Sequence, residues 1–582
     1  ATSEDGTGIV FTGSMSFDEA VAANESEYAH LTLNGCTVSG NTIALSGNGG
    51  ENLSGTLIGV QDSTLTSPGN AGLAVYHPQY GVLNILGTGN TLTGGTGIVI
   101  RAGGLNVEGG TITATGAFAS NPSGGGSTTD GAAIAVTQHA TALPIDVKIS
   151  GGTLNATGKD GKALYQANVQ ENDPTDVAKI EMQVTGGTFN AAVESENVTE
   201  FISGGTFGET LFGDYIADGS LQCPAEGGYI VGDPDIVAEG KDIFLIGNTA
   251  YDTLQSAVDA VPADNTQTTI TFVDGTGDGI LTGNGVRVQA NQNIVFDYNG
   301  NTYDIDGTTV GSAGTETNGF QLLKGATVVM QNGTLTSDKA IILIQKYCEL
   351  TLDDMVLDGT QTNYYVLSNN NATTTITGNT QIIAAENGVA FDVYYWPNNG
   401  YGSVSVVFDE NFTGSVAGRV EYTNDGTAVD NWYTYASLEI DGNGTFDIEL
   451  SVQAVSGVEA SAATINIAGG TFVNPVAGEY IADGFMIYQQ EDGSYTVADD
   501  ETAADDGVII VMNGIGYTSI DAAVEAGCVA TIAGEQVDEG YETLEEALLA
   551  AEAGDTVTLQ ADITTAAMIT IDKAVTLDLN GH

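Results

Sequence analysis

Tyrosine and tryptophan residues are concentrated in one stretch of the chain, between positions 364 and 435. Such rings offer a large apolar area with a polar edge, which suits contact with sugar rings or with protein surfaces. If the surrounding strands stack as coils, we expect Tyr364, Tyr394 and Tyr433 to lie on one face. The predicted binding surface comprises Tyr364, Tyr394, Tyr395, Trp396, Tyr401, Trp432 and Tyr433. The alternative is that these rings only close a loop against the body of the fold.

No local motif supplies groups for catalysis. Asp353 and Asp354 are adjacent in a predicted strand, but paired carboxylates support glycoside hydrolysis only in a cleft and at a suitable separation, so we favour a solvated turn. The four histidines form no His-x-x-x-His or Ser/His/Asp pattern. A polysaccharide lyase needs Arg or Lys near Ca²⁺, whereas Arg101, Arg287 and Arg419 lie far apart in the sequence. We therefore predict no catalytic residues.

The charge balance is strongly acidic. Twelve Lys and Arg stand against 75 Asp and Glu, a formal net charge of −63. Such a surface repels nucleic acid, anionic membranes and polyanionic sugars. We favour solvation as its role. The alternative is weak Ca²⁺ binding by clustered carboxylates, although no loop has dedicated ligand spacing. We predict no other cofactor, and the sequence identifies no set of metal ligands.

The four cysteines lie far apart, at Cys36, Cys223, Cys348 and Cys528. None belongs to a Cys-x-x-Cys pair, which excludes the usual zinc and redox motifs. We expect buried free thiols, and a disulfide remains the alternative. No apolar run is long enough to span a membrane, so we expect no membrane insertion.

The elements that position these side chains are predicted from a repeated phrase. Gly-Gly-Thr followed by an apolar residue begins at positions 109, 151, 186, 204 and 469. Between these phrases lie short segments rich in Thr, Val and Ile, bounded by Gly, Asn and Asp, which are typical of strands. The predicted strands include 83–86, 98–101, 105–108, 145–149, 180–184 and 404–408. Because equivalent residues recur from unit to unit, parallel coils are favoured over antiparallel meanders.

Short helices and hairpins divide the coils into modules. Segments 251–261, 517–524 and 541–551 have helical apolar spacing, and Thr253 and Thr543 are predicted N-caps. Tyr-Ile-Ala-Asp-Gly at 215–219 and 480–484 precedes a predicted hairpin. The predicted modules are 1–246, with a possibly missing start, 247–507, and 508–582, which is the opening part of a third. We expect the two ends to continue into a longer chain, or alternatively to join copies head to tail.

These phrases resemble a known type of module. The residues Tyr541-Glu-Thr-Leu-Glu-Glu-Ala-Leu, Leu577-Asp-Leu-Asn-Gly-His and the Gly-Gly-Thr-Phe…Tyr-Ile-Ala-Asp-Gly closure are similar to right-handed parallel β-helix modules. Such modules occur in large secreted cell-surface proteins of anaerobic Gram-positive (Clostridia-like) bacteria. The resemblance implies an all-β, right-handed parallel β-helix (β-solenoid) with tandem modules and short helices at module starts. It also implies an extracellular location.

The resemblance further implies a non-enzymatic structural or adhesive role, as a stalk or fibre of the cell surface. The expected partners are neighbouring modules, copies of the chain, and host or bacterial glycans or surface proteins. The alternative is a carbohydrate-binding or carbohydrate-cleaving β-helix of the polysaccharide lyase or hydrolase type.

Overall fold

The computed structural model describes residues 9–11, 30–45, 57–69, 72–120, 131–362, 364–397, 400–424, 432–453, 464–565 and 568–582. Strands hold 49% and helices 9% of these described residues, and the strands stack in repeated parallel coils. The predicted all-β parallel β-helix is therefore confirmed, while its right-handedness stays an expectation from the resemblance. Contacts divide the chain into two compact units, Ala1–Lys241 with Gly247–Asp252, and Asp242–Ile246 with Thr253–His582.

The strands are numbered in chain order. Strands β1 to β11 are Ile9–Phe11, His30–Asn34, Thr37–Ser39, Thr42–Ala44, Leu57–Gln61, Thr64–Thr66, Leu73–His77, Val82–Leu86, Thr91–Gly94, Thr96–Ile100 and Gly103–Val107. Strands β12 to β21 are Thr111–Ala114, Ala132–Val136, Ile145–Ile149, Thr153–Ala156, Lys162–Gln166, Ile180–Phe189, Ala192–Ser195, Ile202–Phe207, Leu221–Ala225 and Gly228–Gly232. Strands β22 to β33 are Ile243–Ile246, Thr249–Tyr251, Gln267–Val273, Ile280–Gly283, Val286–Val288, Asn293–Asp297, Thr302–Ile305, Val310–Ser312, Thr315–Leu322, Thr327–Thr336, Ile342–Lys346 and Glu349–Gly359.

The remaining strands and the helices follow in the same order. Strands β34 to β42 are Tyr365–Asn369, Ala372–Thr377, Gln381–Ala384, Val389–Tyr395, Val404–Phe408, Ser415–Asn424, Ala436–Ile440, Thr445–Val452 and Ile465–Ile467. Strands β43 to β51 are Thr471–Phe472, Phe485–Gln489, Tyr495–Asp499, Ile510–Met512, Ile515–Tyr517, Ala530–Ile532, Asp538–Tyr541, Thr556–Leu559 and Thr576–Asp578. Helices α1 to α6 are Pro174–Val177, Pro234–Val237, Leu254–Ala260, Asp500–Asp505, Ile520–Glu525 and Leu544–Ala550. Short 3₁₀ turns are Gly213–Tyr215, Trp432–Tyr435 and Gly478–Tyr480.

Each coil of the first unit contributes to three parallel stacks. One stack is β1–β2–β5–β8–β11–β14–β17. The second is β3–β6–β9–β12–β15–β17–β19. The third is β4–β7–β10–β13–β16–β18. Alternate side chains point inward, and the core side chains of successive coils lie over one another, as Leu83, Leu105 and Val147 do.

The second unit has the same three-stack plan. One stack is β24–β27–β31–β33–β35–β38–β40–β42. The second is β25–β28–β31–β33–β36–β39–β41–β43. The third is β26–β30–β32–β34–β37–β39. Buried aromatic rings fill part of its interior, and the Phe446 and Phe472 rings stack with centroids 4.9 Å apart.

The Gly-Gly-Thr phrase marks a corner between two stacks. Each of its two positions requires glycine, but for a different physical reason. A Cβ on Gly151 would lie 2.2 Å from the carbonyl oxygen of Glu108 in the coil beneath it. Gly152 has φ +92°, in the left-handed region that side chains disfavour. The threonines of the phrase, Thr111, Thr153, Thr188 and Thr206, are in register from coil to coil. The same row continues through Thr91, Thr64 and Thr37, which follow other residue pairs. The phrase therefore allows coils to stack closely at the corner.

The predicted helices and hairpins are present. Helices α3, α5 and α6 lie in the three predicted segments, and the Thr253 and Thr543 side chains accept hydrogen bonds from the backbone N–H three residues on. The closing segments form hairpins: β21 pairs antiparallel with β19 and β20, and β45 pairs antiparallel with β43 and β44. The module boundaries themselves stay a prediction. No described helix has the length and hydrophobicity needed to cross a membrane.

All four cysteines are buried and free. Burial raises the pKa of the Cys223 thiol to about 11 and that of Cys348 to about 12. They behave as small core residues, so the expectation of buried free thiols is confirmed and no disulfide contributes to the fold.

Candidate functional site

A groove runs across the third stack of the second unit, over strands β32, β34, β37 and β39. In these strands Ile344, Leu367 and Phe391 are in register and buried, so the residue that follows each of them lies on the outer face. These outer residues are polar. Gln345 pairs with Ser368, and Asp392 pairs with Glu421. The strand register therefore places amide, hydroxyl and carboxyl groups in one row across neighbouring coils.

The groove has a volume of about 550 Å³, within the range of small-ligand sites. Polar groups form its floor and aromatic rings form much of its sides. Its lining residues are Ile342, Gln345, Tyr347, Tyr365, Ser368, Asn370, Asp392, Tyr394, Trp396, Glu421 and Thr423.

Three aromatic rings make one side of the groove rigid. The Tyr347 and Tyr401 rings stack with centroids 4.9 Å apart and planes 15° apart. Trp396 lies against both, with centroid distances of 5.4 Å to Tyr401 and 6.2 Å to Tyr347. Tyr401 does not line the groove, and the Lys324 ammonium lies 5.8 Å from the centroid of its ring. Because each ring is held by another, Tyr347 and Trp396 present fixed apolar surfaces to the groove.

Asp392 is the most deeply placed acid of the floor, with 3% of the residue exposed. Its carboxylate accepts hydrogen bonds from the Asn369 backbone N–H at 2.5 Å and from the Ser368 hydroxyl at 3.0 Å. Burial outweighs these bonds and raises the pKa of Asp392 to about 7, with the Glu421 charge acting in the same direction. Asp392 therefore retains its proton to nearly neutral pH.

Glu421 is the register partner of Asp392 in the next coil, and its surroundings are different. The Arg419 guanidinium forms an ion pair with one carboxylate oxygen at 2.8 Å. The Tyr365 hydroxyl donates to the other oxygen at 2.8 Å. Burial and this hydrogen bond raise the pKa of Tyr365, so the phenol stays a donor. The two neighbouring carboxyl groups thus have different partners: a cation and a phenol at Glu421, and a hydroxyl and a backbone N–H at Asp392.

A buried lysine lies beneath the floor. Lys346 is 0% exposed, and its Nζ donates to the carbonyl oxygens of Asn371 and Ala372 at 2.9 and 2.8 Å. Burial lowers the pKa of Lys346 to about 7, partly offset by the negative charges of Glu349 and Asp392. These two bonds tie the groove strand to the turn between β34 and β35.

Replacing Asp392 with asparagine is expected to change how stability depends on pH. In the wild type the folded carboxyl holds its proton to a pKa of about 7, whereas an unfolded aspartate releases it above about 4. Ionisation therefore favours the unfolded state increasingly from pH 4 to 7, by a total on the order of 3 kcal/mol. Asparagine does not ionise, so the variant does not lose this stability. Its free energy of unfolding relative to that of the wild type should therefore rise from pH 4 to pH 7.

Urea unfolding of both proteins between pH 4 and 8 measures this difference. The Lys346, Glu421, Arg419 and Tyr365 groups around Asp392 are present in both proteins, and the difference includes the change that loss of the Asp392 charge causes in the titration of Lys346. A stability difference independent of pH would show that Asp392 is ionised throughout and would contradict the burial argument.

The predicted aromatic surface is divided among several places. Tyr394 and Trp396 line the groove. Tyr401 supports it from behind, and Tyr364 packs edge-on against Tyr365, with the ring centroids 4.7 Å apart. Tyr365, rather than its neighbour Tyr364, is the residue that faces the groove, because side chains alternate along a strand.

The last three residues of the predicted surface lie outside the groove lining. Tyr395 is 7% exposed and stacks on Tyr435, and Trp432 is 2% exposed and packs on Tyr422. The carbonyl oxygen of Tyr433 accepts hydrogen bonds from Tyr422 and Thr464. That Tyr364, Tyr394 and Tyr433 share one face stays a prediction, and of the three only Tyr394 lines the groove. Tyr433 lies in the short 3₁₀ turn before β40 rather than on an equivalent strand.

The other residues considered for chemistry have structural surroundings. Asp354 has φ +51°, and its carboxylate accepts from the Asn379 backbone N–H at 2.7 Å, so it shapes a bend within β33. His77 is 0% exposed, with both ring nitrogens near backbone oxygens, and burial lowers its pKa. Among the described residues, no three His, Cys, Asp or Glu side chains come together as candidate metal ligands.

A second groove, of about 650 Å³, follows the Gly-Gly-Thr corners of the first unit. It is lined mainly by backbone and threonine, and Glu108 is its one ionisable side chain. The groove on β32–β39 is smaller, but it combines aromatic rings with two carboxyl groups, and it is the better candidate for chemistry.

Sequence inspection did not single out Asp392, Glu421 or Tyr347 as site residues. Asp392 and Glu421 each follow a buried apolar residue, Phe391 and Val420, but the coils differ in length, so no fixed period in the sequence connects them. No protein-family model matches this chain, and no curated protein sequence matches it.

Proposed function

We propose that this protein is a structural and adhesive β-helix of the bacterial cell surface that binds a neutral polysaccharide in the groove on β32–β39. The observation that carries the proposal is the groove itself. Tyr347, Tyr365, Tyr394 and Trp396 offer ring surfaces on which sugar rings stack, and Gln345, Ser368 and Asn370 offer groups that hydrogen-bond sugar hydroxyls.

The charge of the chain supports a neutral ligand. With a formal net charge of −63, the protein repels uronic-acid polymers and other polyanions at moderate salt. Sugar hydroxyls, by contrast, are good donors to carboxylate and amide oxygens.

The structural role is supported by the stacked coils. A parallel β-helix buries a continuous core by repetition and is well suited to building a stalk or fibre. The extracellular location is supported by the resemblance of the modules to those of secreted cell-surface proteins. Glycans of the host or of bacteria are the expected partners.

Replacing Trp396 with alanine is expected to weaken polysaccharide binding about tenfold, because one ring of the stacked Tyr347–Trp396–Tyr401 set is lost. Affinity electrophoresis of the full chain in gels containing xyloglucan, mannan, galactan or mixed-linkage β-glucan measures this change. A panel with polygalacturonate tests the preference for neutral polymers.

Phe212→Ala is the matched control, since Phe212 is an aromatic residue with 62% exposure that does not line the groove. This variant should bind as the wild type does. If no neutral polysaccharide retards the wild type, or if the two variants behave alike, the proposed binding function is wrong.

A further inference from the structure

The two carboxyl groups of the groove are arranged for more than binding. Asp392 and Glu421 are paired residues of β37 and β39, which are neighbours in a parallel stack. Paired residues project from the same face, and neighbouring strands lie about 4.8 Å apart. Both side chains line the same groove, from paired positions on neighbouring strands.

Their surroundings assign them opposite roles. Asp392 is 3% exposed, and its burial outweighs the hydrogen bonds from Ser368 and Asn369 and the charge of Lys346, so the site favours the protonated acid. Glu421 forms an ion pair with Arg419 and accepts a hydrogen bond from the Tyr365 hydroxyl. A neutral acid beside an ionised carboxylate is the combination needed to cleave an acetal.

An unsatisfied acceptor points to a ligand in the same groove. Asn370 is 3% exposed, lines the groove, and its side-chain oxygen has no hydrogen-bond partner in the protein. A buried acceptor without a partner costs about 1–3 kcal/mol. A hydroxyl group of a bound sugar would satisfy it, and this acceptor is independent of the acidic pair.

We infer that the groove hydrolyses a glycosidic bond of a neutral polysaccharide, with Asp392 as the general acid and Glu421 as the nucleophile. This inference rests on the proposed binding of a neutral polysaccharide in the groove, and it adds catalysis to a protein that the sequence alone predicts to be non-enzymatic. The sequence left carbohydrate cleavage as an alternative but identified no residues for it, because strand register, not a local motif, brings the two carboxyl groups together.

The reaction has two steps. In the first, the Asp392 carboxyl gives its proton to the glycosidic oxygen while the bond from that oxygen to the anomeric carbon breaks, and a Glu421 oxygen bonds to the anomeric carbon. In the second, water attacks that carbon, the Asp392 carboxylate takes the proton of the water, and the ester bond to Glu421 breaks. One water is consumed for each bond cleaved, and both side chains return to their starting forms.

The spacing also sets the stereochemistry. Retaining glycosidases hold their two carboxyl groups about 5–5.5 Å apart, and inverting ones about 6.5–9.5 Å apart to admit a water. The backbones of paired residues on neighbouring strands lie about 4.8 Å apart, so we expect the shorter carboxyl separation here. The first product is therefore expected to keep the anomeric configuration of the substrate, and Tyr365 and Arg419 are positioning residues for Glu421.

The test uses the full chain with xyloglucan, mannan, galactan and mixed-linkage β-glucan, and follows released reducing ends. The wild type should release them from at least one polymer, and Asp392→Asn and Glu421→Gln should each lose about 100-fold or more of that rate. Both variants should still bind the polymer in affinity gels and should retain the circular dichroism spectrum of the wild type. Proton NMR of the first product should show retention.

The outcomes separate the two proposals. Binding without release of reducing ends by the wild type would overturn the hydrolysis and leave the binding function in place. Unchanged release by Asp392→Asn or Glu421→Gln would overturn the assignment of the pair, and inversion at the anomeric carbon would overturn the role of Glu421 as nucleophile. Absence of binding to every polymer would overturn the binding function as well.

Discussion

Replacing Arg101 with methionine is expected to stabilise the first unit, by about 2 kcal/mol. Arg101 follows strand β10 and is 0% exposed. Its Nε, Nη1 and Nη2 atoms are buried without hydrogen-bond partners. Burial lowers the pKa of Arg101, because removing the charged guanidinium from water costs free energy. A buried guanidinium without hydrogen bonds pays most of its desolvation penalty, whereas methionine fills a similar length with apolar atoms.

Thermal unfolding of Arg101→Met, followed by circular dichroism, measures the gain. Lys148→Met is the matched control, because it removes one positive charge at an exposed site where Lys148 pairs with Asp146 at 2.6 Å. An exposed ion pair contributes little, so this variant should change stability by less than about 1 kcal/mol. A loss of stability in Arg101→Met would mean that an anion or water satisfies the guanidinium.

Replacing Gly414 with alanine is expected to destabilise the second unit by about 3 kcal/mol. Gly414 immediately precedes β39. A Cβ at this position would lie 1.8 Å from the carbonyl oxygen of Thr380 and 2.6 Å from its carbonyl carbon. Both are backbone atoms of the coil beneath, and the Ser415 N–H donates to the same Thr380 oxygen. The clash can be relieved only by separating two coils, which breaks hydrogen bonds between them.

Gly478→Ala provides the comparison. A Cβ on Gly478 meets no atom within 4 Å, and its backbone lies outside the left-handed region. This substitution should leave the unfolding midpoint in urea nearly unchanged or raise it slightly. Equal midpoints for Gly414→Ala and Gly478→Ala would show that the coils are not packed as closely at Thr380 as the structure has them.

Local patterns were enough to predict the class of fold and many of its elements. Strands β14 and β38 have the bounds that alternation predicts, 145–149 and 404–408. The threonine caps of α3 and α6 follow from short-range hydrogen bonding, which the sequence expresses directly. Such features depend on residues within one turn or one strand.

The groove was not predictable in the same way, because it depends on register between coils of unequal length. Asp392 is the register partner of Glu421 only because of how β37 pairs with β39. That pairing depends on Gly418, at φ +131°, where β39 turns from one stack to the next. Tyr364 and Tyr365 are adjacent in sequence, yet only Tyr365 lines the groove. A shift of one residue in the predicted strand reverses that assignment.

The hairpins that follow Tyr-Ile-Ala-Asp-Gly have a consequence for how many coils a stack can hold. The last strand of a parallel stack is an edge strand, and its unpaired backbone N–H and C=O groups can pair with a further strand. Strands β21 and β45 cover that edge on β19 and β43 with a strand of opposite direction. Each hairpin therefore ends its stack, so the number of coils in that stack is set by the sequence and not by aggregation.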